Sequence, residues 1–164
     1  MKETHEIIKL LRIICNSLKT QTIIVTETNL PEKENLSYFG RNNDEAQWIY
    51  NFSLPPLLVH SFLFEDSTYL NRWSKKLPNT KMGNNYLNFI DSHDGIGMRP
   101  VEGYLKKEKL FMLFKRLKKN GGQLSYRKVQ GSSKKVYEAN ITLFNAFQKT
   151  DYDKKGRFFL DRYI

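Results

Sequence analysis

The chain is 164 residues long, 40% hydrophobic, and carries a net charge of +10. That length suits one domain with a sizeable core, and that apolar content excludes a wholly disordered chain. No apolar run approaches the roughly 18 to 20 residues of a membrane-crossing helix, and residues 1–20 lack the uninterrupted apolar core of a signal peptide, so no membrane partner and a cytoplasmic location are expected.

Residues 4–18 predict a helix, because Ile7, Leu10, Leu11, Ile14 and Leu18 recur at three- and four-residue spacing while Glu6, Lys9, Arg12 and Lys19 keep to other positions. One face of it is expected to be buried. A short link leads into residues 22–29, TIIVTETN, where Thr22, Ile23, Ile24 and Val25 are β-branched. This run reads as a parallel strand covered on both faces, with Glu27 at its C-terminal tip. A helix feeding such a strand is half of a βαβ unit whose first strand is absent.

Residues 30–45, with Pro31, Gly40 and the charged cluster Glu32, Lys33 and Glu34, read as a polar loop of functional length. A second strand is predicted over 47–52. Pro55 and Pro56 then open a helix containing Leu57, Leu58, His60, Ser61 and Leu63, since prolines in a first helical turn lose no intrahelical hydrogen bond. A further helix over 67–77 puts Tyr69, Leu70 and Trp73 on one face. After a turn-rich link, the strand 86–90 runs into Asp91-Ser92-His93-Asp94-Gly95. Two strands thus deliver ionisable groups at their C-terminal ends, where parallel α/β sheets and barrels collect their chemistry.

Beyond Pro100 the pattern changes. Leu110, Leu113, Phe114 and Leu117 mark a helix that Asn120-Gly121-Gly122 stops, and 123–128 with 135–139 flank Gly131-Ser132-Ser133 as a β-hairpin. A short helix at 142–147 and the opening of another at 157–164 complete the chain. Residues 104–135 are rich in lysine and arginine, with Glu108 their single acid. They read as a solvated surface, and with no nucleic-acid motif no nucleic-acid partner is expected; a polyanion-binding module is the rival reading. The lone Cys15 forbids an internal disulfide and reads as a buried small hydrophobe, and scattered histidines predict no metal site. His5 and His60 read as structural. Tyr38, Phe39 and Trp48 offer a sugar-stacking platform, with core packing the preferred reading for Trp48.

The helix HEIIKLLR, then IIVTETN, NLSYFG, DEAQWIYNFSLPPLLVHSF, NFIDSHDGIGMRPVEG and GGQLSYRK with YEANIT, resembles one branch of the α-amylase superfamily, glycoside hydrolase family 13, near the sucrose and glucosylglycerate phosphorylases. The resemblance implies an incomplete (β/α)8 TIM barrel, about strands 5 to 7 with flanking helices. Residues 1–164 would form one partial catalytic domain, with 101–150 a basic helix and β-hairpin excursion. It implies a retaining enzyme that passes glucose through a covalent glucosyl-enzyme. Its substrate would be sucrose or glucosylglycerate-like, and phosphate, water or another sugar as acceptor would all use the same Glu27, with no cofactor; an α-amylase-type hydrolase is the alternative.

Residue by residue, Glu27 matches the general acid/base, Asp94 the carboxylate that stabilises the transition state, and His93 the neighbouring sugar-binding histidine. Arg99 is a candidate contact to substrate or phosphate, or a loop-fixing residue. The residue types suit the chemistry, because a glycosidic oxygen leaves poorly unless protonated and an oxocarbenium-like centre is favoured by a nearby carboxylate. The family nucleophile is an Asp in an Arg-x-Asp motif on the preceding strand, and no Arg-x-Asp occurs here. The chain is therefore expected to be a fragment without activity of its own.

Overall fold

A computed structural model of the chain describes residues 2–81, 83–129 and 132–147, with side chains 132 and 133 excepted. The elements are helices α1 (Lys2–Ser17), α2 (Glu32–Leu36), α3 (Leu54–Phe64), α4 (Thr68–Lys76), α5 (Lys107–Lys119) and α6 (Leu143–Ala146), and strands β1 (Val25–Thr26), β2 (Trp48–Tyr50), β3 (Asn85–Leu87), β4 (Ile96–Gly97), β5 (Gln123–Val129) and β6 (Ser132–Asn140). Short 3-10 turns cover Ser37–Phe39 and Arg99–Val101. The helix expected at 157–164 and the hairpin glycine Gly131 lie outside the described residues.

Two sheets result. The first is wholly parallel in the order β1-β2-β3, with Val25 beside Trp48 and Ile49 beside Tyr86. The second is antiparallel in the order β4-β6-β5. The hairpin is present as predicted, but β4 is a third strand that the sequence did not announce. Two residues carry too little periodicity to be read, and β4 exists because Ile96 and Gly97 pair with Ala139 and Glu138.

The larger core gathers Leu57, Val59, Leu63, Tyr69, Trp73, Ile96, Met98, Val101, Leu113, Leu117 and Ala139. It packs α3, α4 and α5 against β4 and β6. Apolar on nearly every side, α3 is buried along most of its length, and Pro55 and Pro56 stand in its first turn. A basic helix with an apolar stripe, α5 buries Leu113 and Leu117 and ends at Asn120, where Gly121 takes φ +92°. A smaller core of Tyr38, Ala46 and Ile49 lies over the parallel sheet, with Ile8, Ile24 and Tyr86 packed on it.

Three expectations need correction. The first concerns α1, which forms as predicted yet buries no residue; Ile7, Leu10, Ile13 and Leu18 are all more than half exposed. Ile8 alone of its large apolar residues joins a core cluster among the described residues. Second, the run 22–29 is not covered on both faces. Ile24 turns inward while Ile23 and Val25 are exposed, and β1 pairs only with β2, so its outer edge has no partner among the described residues. The Gln47 side chain, accepting from the Ile24 amide at 2.7 Å, stands in for further ladder at its start. Third, the expected loop 30–45 contains α2 and a 3-10 turn. Asn35 explains this ordering: it is buried, accepts from the Thr28 hydroxyl at 2.6 Å and donates to the Tyr50 carbonyl at 2.8 Å.

Cys15 is half-buried rather than buried. Trp48 is half-buried on β2 and Tyr38 is fully buried, so these two side chains do not make an open stacking platform. Among the described residues no helix is long and apolar enough to cross a membrane, and no His, Cys, Asp and Glu side chains gather as a metal site.

Candidate active site

Because β1, β2 and β3 are parallel, the turns after β1 and β3 leave the sheet at the same edge. The first of these carries Glu27. Its carboxylate is exposed and makes no hydrogen bond or ion pair among the described residues, whereas the backbone around it is held firmly. The Leu30 amide donates to the Thr28 carbonyl at 2.9 Å, Thr28 is bonded to Asn35, and Asn29 Nδ2 donates to the Tyr137 carbonyl of β6 at 3.3 Å. An exposed acid on a fixed root suits a group that must reach a ligand.

The second turn carries His93 and Asp94. Past β3 the chain is clamped by Asn51, whose amide donates to the Leu87 carbonyl at 3.0 Å and whose side chain donates to Asn88 Oδ1 at 2.8 Å. Phe89 then packs edge-on against Tyr50 and Phe52. Asp91 Oδ2 accepts from the Leu143 amide at 3.3 Å, tying this turn to the start of α6. The Asp94 amide donates to the Ser92 hydroxyl at 3.2 Å, and Gly95 passes so close to β6 that a Cβ would lie 2.5 Å from the Ala139 carbonyl oxygen.

His93 Nε2 and Asp94 Oδ1 are 3.6 Å apart, with the imidazole 83% exposed and the carboxylate 53% exposed. Both line an open cleft of about 360 Å3, with Ser92, Gly121, Asn140, Thr142 and Asn145 on its other walls. The cleft is polar, rimmed by hydroxyl, amide, imidazole and carboxylate groups, the donors and acceptors that polyols and sugars satisfy. Glu27 and Arg99 do not line it. Arg99 opens the 3-10 turn Arg99–Val101, half-buried, with its Nε unpartnered among the described residues. The structure therefore brings His93 and Asp94 together and leaves Glu27 and Arg99 as separate contributors.

Several residues of the site escaped the sequence. Asn140, Thr142 and Asn145 reach the cleft because β6 runs antiparallel beside β4, and no local spacing signals that approach. Asn29 lies within IIVTETN, where spacing gives it no role, and Asn35 is an amide whose buried position the sequence does not mark.

Parallel strands whose C-terminal turns carry carboxylates, with an antiparallel excursion at the side, define an α/β segment of barrel type. The structure matches the sucrose 6F-phosphate phosphorylase from Thermoanaerobacter thermosaccharolyticum with a TM-score of 0.73 and 19% identity, over 92% of this chain and 30% of that one. No family profile matches the chain. In sequence it is 36% identical over 163 residues to the glucosylglycerate phosphorylase of Escherichia coli (strain K12), 98% of this chain and 29% of that protein. It is 40% identical over 156 residues to the glucosylglycerate phosphorylase of Spirochaeta thermophila, 94% of this chain and 26% of that protein. A sucrose phosphorylase of Agrobacterium vitis is 30% identical over 114 residues, 64% of this chain and 22% of that protein. Glucosylglycerate and sucrose phosphorylases, a branch of glycoside hydrolase family 13, are thus homologues of this chain, which spans between 26% and 29% of the glucosylglycerate phosphorylases it matches.

Proposed function

We propose that this chain supplies the acid/base part of a retaining α-glucoside phosphorylase acting on glucosylglycerate or sucrose. The reading is carried by its 36% and 40% identity to two glucosylglycerate phosphorylases across nearly its whole length. It is supported by the parallel order β1-β2-β3, from whose C-terminal edge both acidic turns emerge. Residues 1–164 act as part of one catalytic domain, with 101–150 an excursion from it.

In this mechanism Glu27 gives its proton to the glycosidic oxygen as an aspartate nucleophile attacks the anomeric carbon, so the departing glycerate or fructose leaves neutral at that oxygen. The aspartate is supplied from outside this sequence, which contains no Arg-x-Asp. Glu27, now ionised, takes the proton of phosphate as it displaces the aspartate and forms glucose 1-phosphate. Asp94 grips ring hydroxyls and favours the oxocarbenium-like transition state, and His93 beside it hydrogen-bonds the sugar. Arg99 offers a cation for phosphate or the substrate carboxylate.

The test is complementation. The Escherichia coli glucosylglycerate phosphorylase, truncated to lack the matching stretch, is co-expressed with this chain, and phosphate-dependent release of glucose 1-phosphate is followed. The expected result is no turnover by either piece, turnover by the pair, and a loss of about 10^2 to 10^4-fold with Glu27→Gln. Turnover by this chain alone, or equal turnover with Glu27→Gln, defeats the proposal.

A further inference from the structure

The turn that carries Glu27 is pinned twice to the segment behind Asp94. Asn29 reaches β6 through the Tyr137 carbonyl, and its side chain occupies the space beside Gly97 of β4: a Cβ built on Gly97 would lie 2.7 Å from Asn29 Oδ1. The second pin is Glu32, the first residue of α2. Its Oε1 accepts the Tyr104 hydroxyl, while Oε2 accepts the Trp73 indole N–H at 2.5 Å and the Ser53 hydroxyl at 3.4 Å. Three donors from three parts of the chain converge on one carboxylate. Tyr104 lies just beyond the turn Arg99–Val101, Trp73 on α4, and Ser53 ahead of α3. Burial, then the hydrogen bond to Glu32 and that residue's charge, push the Tyr104 phenol above the ordinary tyrosine range.

We propose that Glu32 and Asn29 are positioning residues that join the Glu27 turn to residues 96–105, so that the two carboxylate-bearing turns move as one body. The catalytic meaning of this coupling rests on the function proposed above. An ionised acceptor makes stronger and more directional hydrogen bonds than a neutral one, and donors converging from different elements fix an orientation that a single bond leaves free. Without this joint, Glu27 and Asp94 sit on separate turns with no direct contact between them among the described residues.

Amide hydrogen exchange on the chain itself tests the coupling. Leu30 and Asn35, bonded to the Thr28 and Pro31 carbonyls, report on the first turn; Met98 and Leu105, bonded to the Tyr137 and Val101 carbonyls, report on the second. Tyr104→Phe removes one oxygen from the second segment, and should lower protection of Leu30 and Asn35 by about tenfold, because a hydrogen bond to a charged group is lost across the joint. Glu32→Ala should lower all four by at least as much while α3 and the β5–β6 hairpin keep their rates, and Glu32→Gln, which keeps one acceptor oxygen but loses the charge and the other, should leave protection between that of Glu32→Ala and the wild type.

Unchanged Leu30 and Asn35 rates in Tyr104→Phe overturn the proposal, and so does a uniform loss that includes α3 in Glu32→Ala. Should Glu32→Ala not fold, Tyr104→Phe decides alone. The readout is independent of turnover: cross-turn coupling with failed complementation leaves the joint standing and removes the catalytic reading, and the reverse outcome does the opposite.

Discussion

At the scale of single residues, chemistry and packing divide cleanly between exposed and buried ionisable groups. Glu27, His93 and Asp94 are exposed, as the ligand-contacting roles proposed for them require. In the complete enzyme, an activated glucoside whose leaving group needs no protonation should lose less from Glu27→Gln than a poor one does in glucosyl-enzyme formation. Equal losses for both leaving groups would remove Glu27 from the acid role.

His60 is the opposite case. It is fully buried against Phe64 and Tyr69, at ring distances of 5.0 and 5.3 Å, with neither ring nitrogen partnered among the described residues. Burial holds its imidazole below the ordinary histidine range, with Asp66 pulling the other way. The unfolded chain therefore takes up this proton more readily than the folded one. His60 contributes stability that is complete above the unfolded histidine pKa and lost as pH falls through the folded one. The melting temperature should drop between pH 7.5 and pH 5, and His60→Leu, which removes two unpaired nitrogens, should flatten that dependence. A wild-type melting temperature independent of pH across this interval, or the same slope in the variant, would exclude His60 as the cause.

At the scale of elements, α1 and β1 set the chain's solution behaviour. The helix exposes Ile7, Leu10, Leu11, Ile13 and Ile14, each between 48% and 66%, Leu18 and Ile23 follow it at 52% and 50%, and β1 adds Val25 and a backbone edge without a partner among the described residues. A leucine-sized side chain gains about 1.5 to 3 kcal/mol when buried, and an unpaired edge is a template for further strands, so the isolated chain is expected to self-associate. Leu10→Lys with Ile14→Lys should shift the size-exclusion profile toward monomer and leave the helical circular dichroism in place. A monodisperse wild-type monomer would contradict this expectation.

At the scale of the whole molecule, the positive charge is spread over α5 and the hairpin and partly matched. Arg127 and Lys135 meet Glu102, at 2.8 and 3.9 Å, and Lys109 meets Asp66 at 3.7 Å. A dispersed surface of this kind attracts polyanions without reading them. Any DNA binding should be weak, indifferent to sequence and steeply lost with salt. Nanomolar, sequence-selective binding by fluorescence anisotropy at about 150 mM salt would reverse that reading.

Much of this was legible in the linear chain. Helices α4 and α5 carry strong periodicity, α3 is marked by Pro55 and Pro56 in its first turn, and such local signals survive whatever packs around them. The IIVTETN and SHDG stretches likewise marked two acidic turns. The sequence by itself determined which residues can do chemistry and which helix faces are apolar, because side-chain type and spacing are local properties. Tertiary structure alone decided that the apolar faces of α1 and β1 find no cover among the described residues, since burial depends on a partner and not on the stripe. It alone ordered residues 30–45 through Asn35 and Glu32, joined Asn29 to Gly97, and carried Asn140 and Thr142 to His93 and Asp94. Those contacts join residues far apart in the chain, and no spacing along it encodes where strands pair.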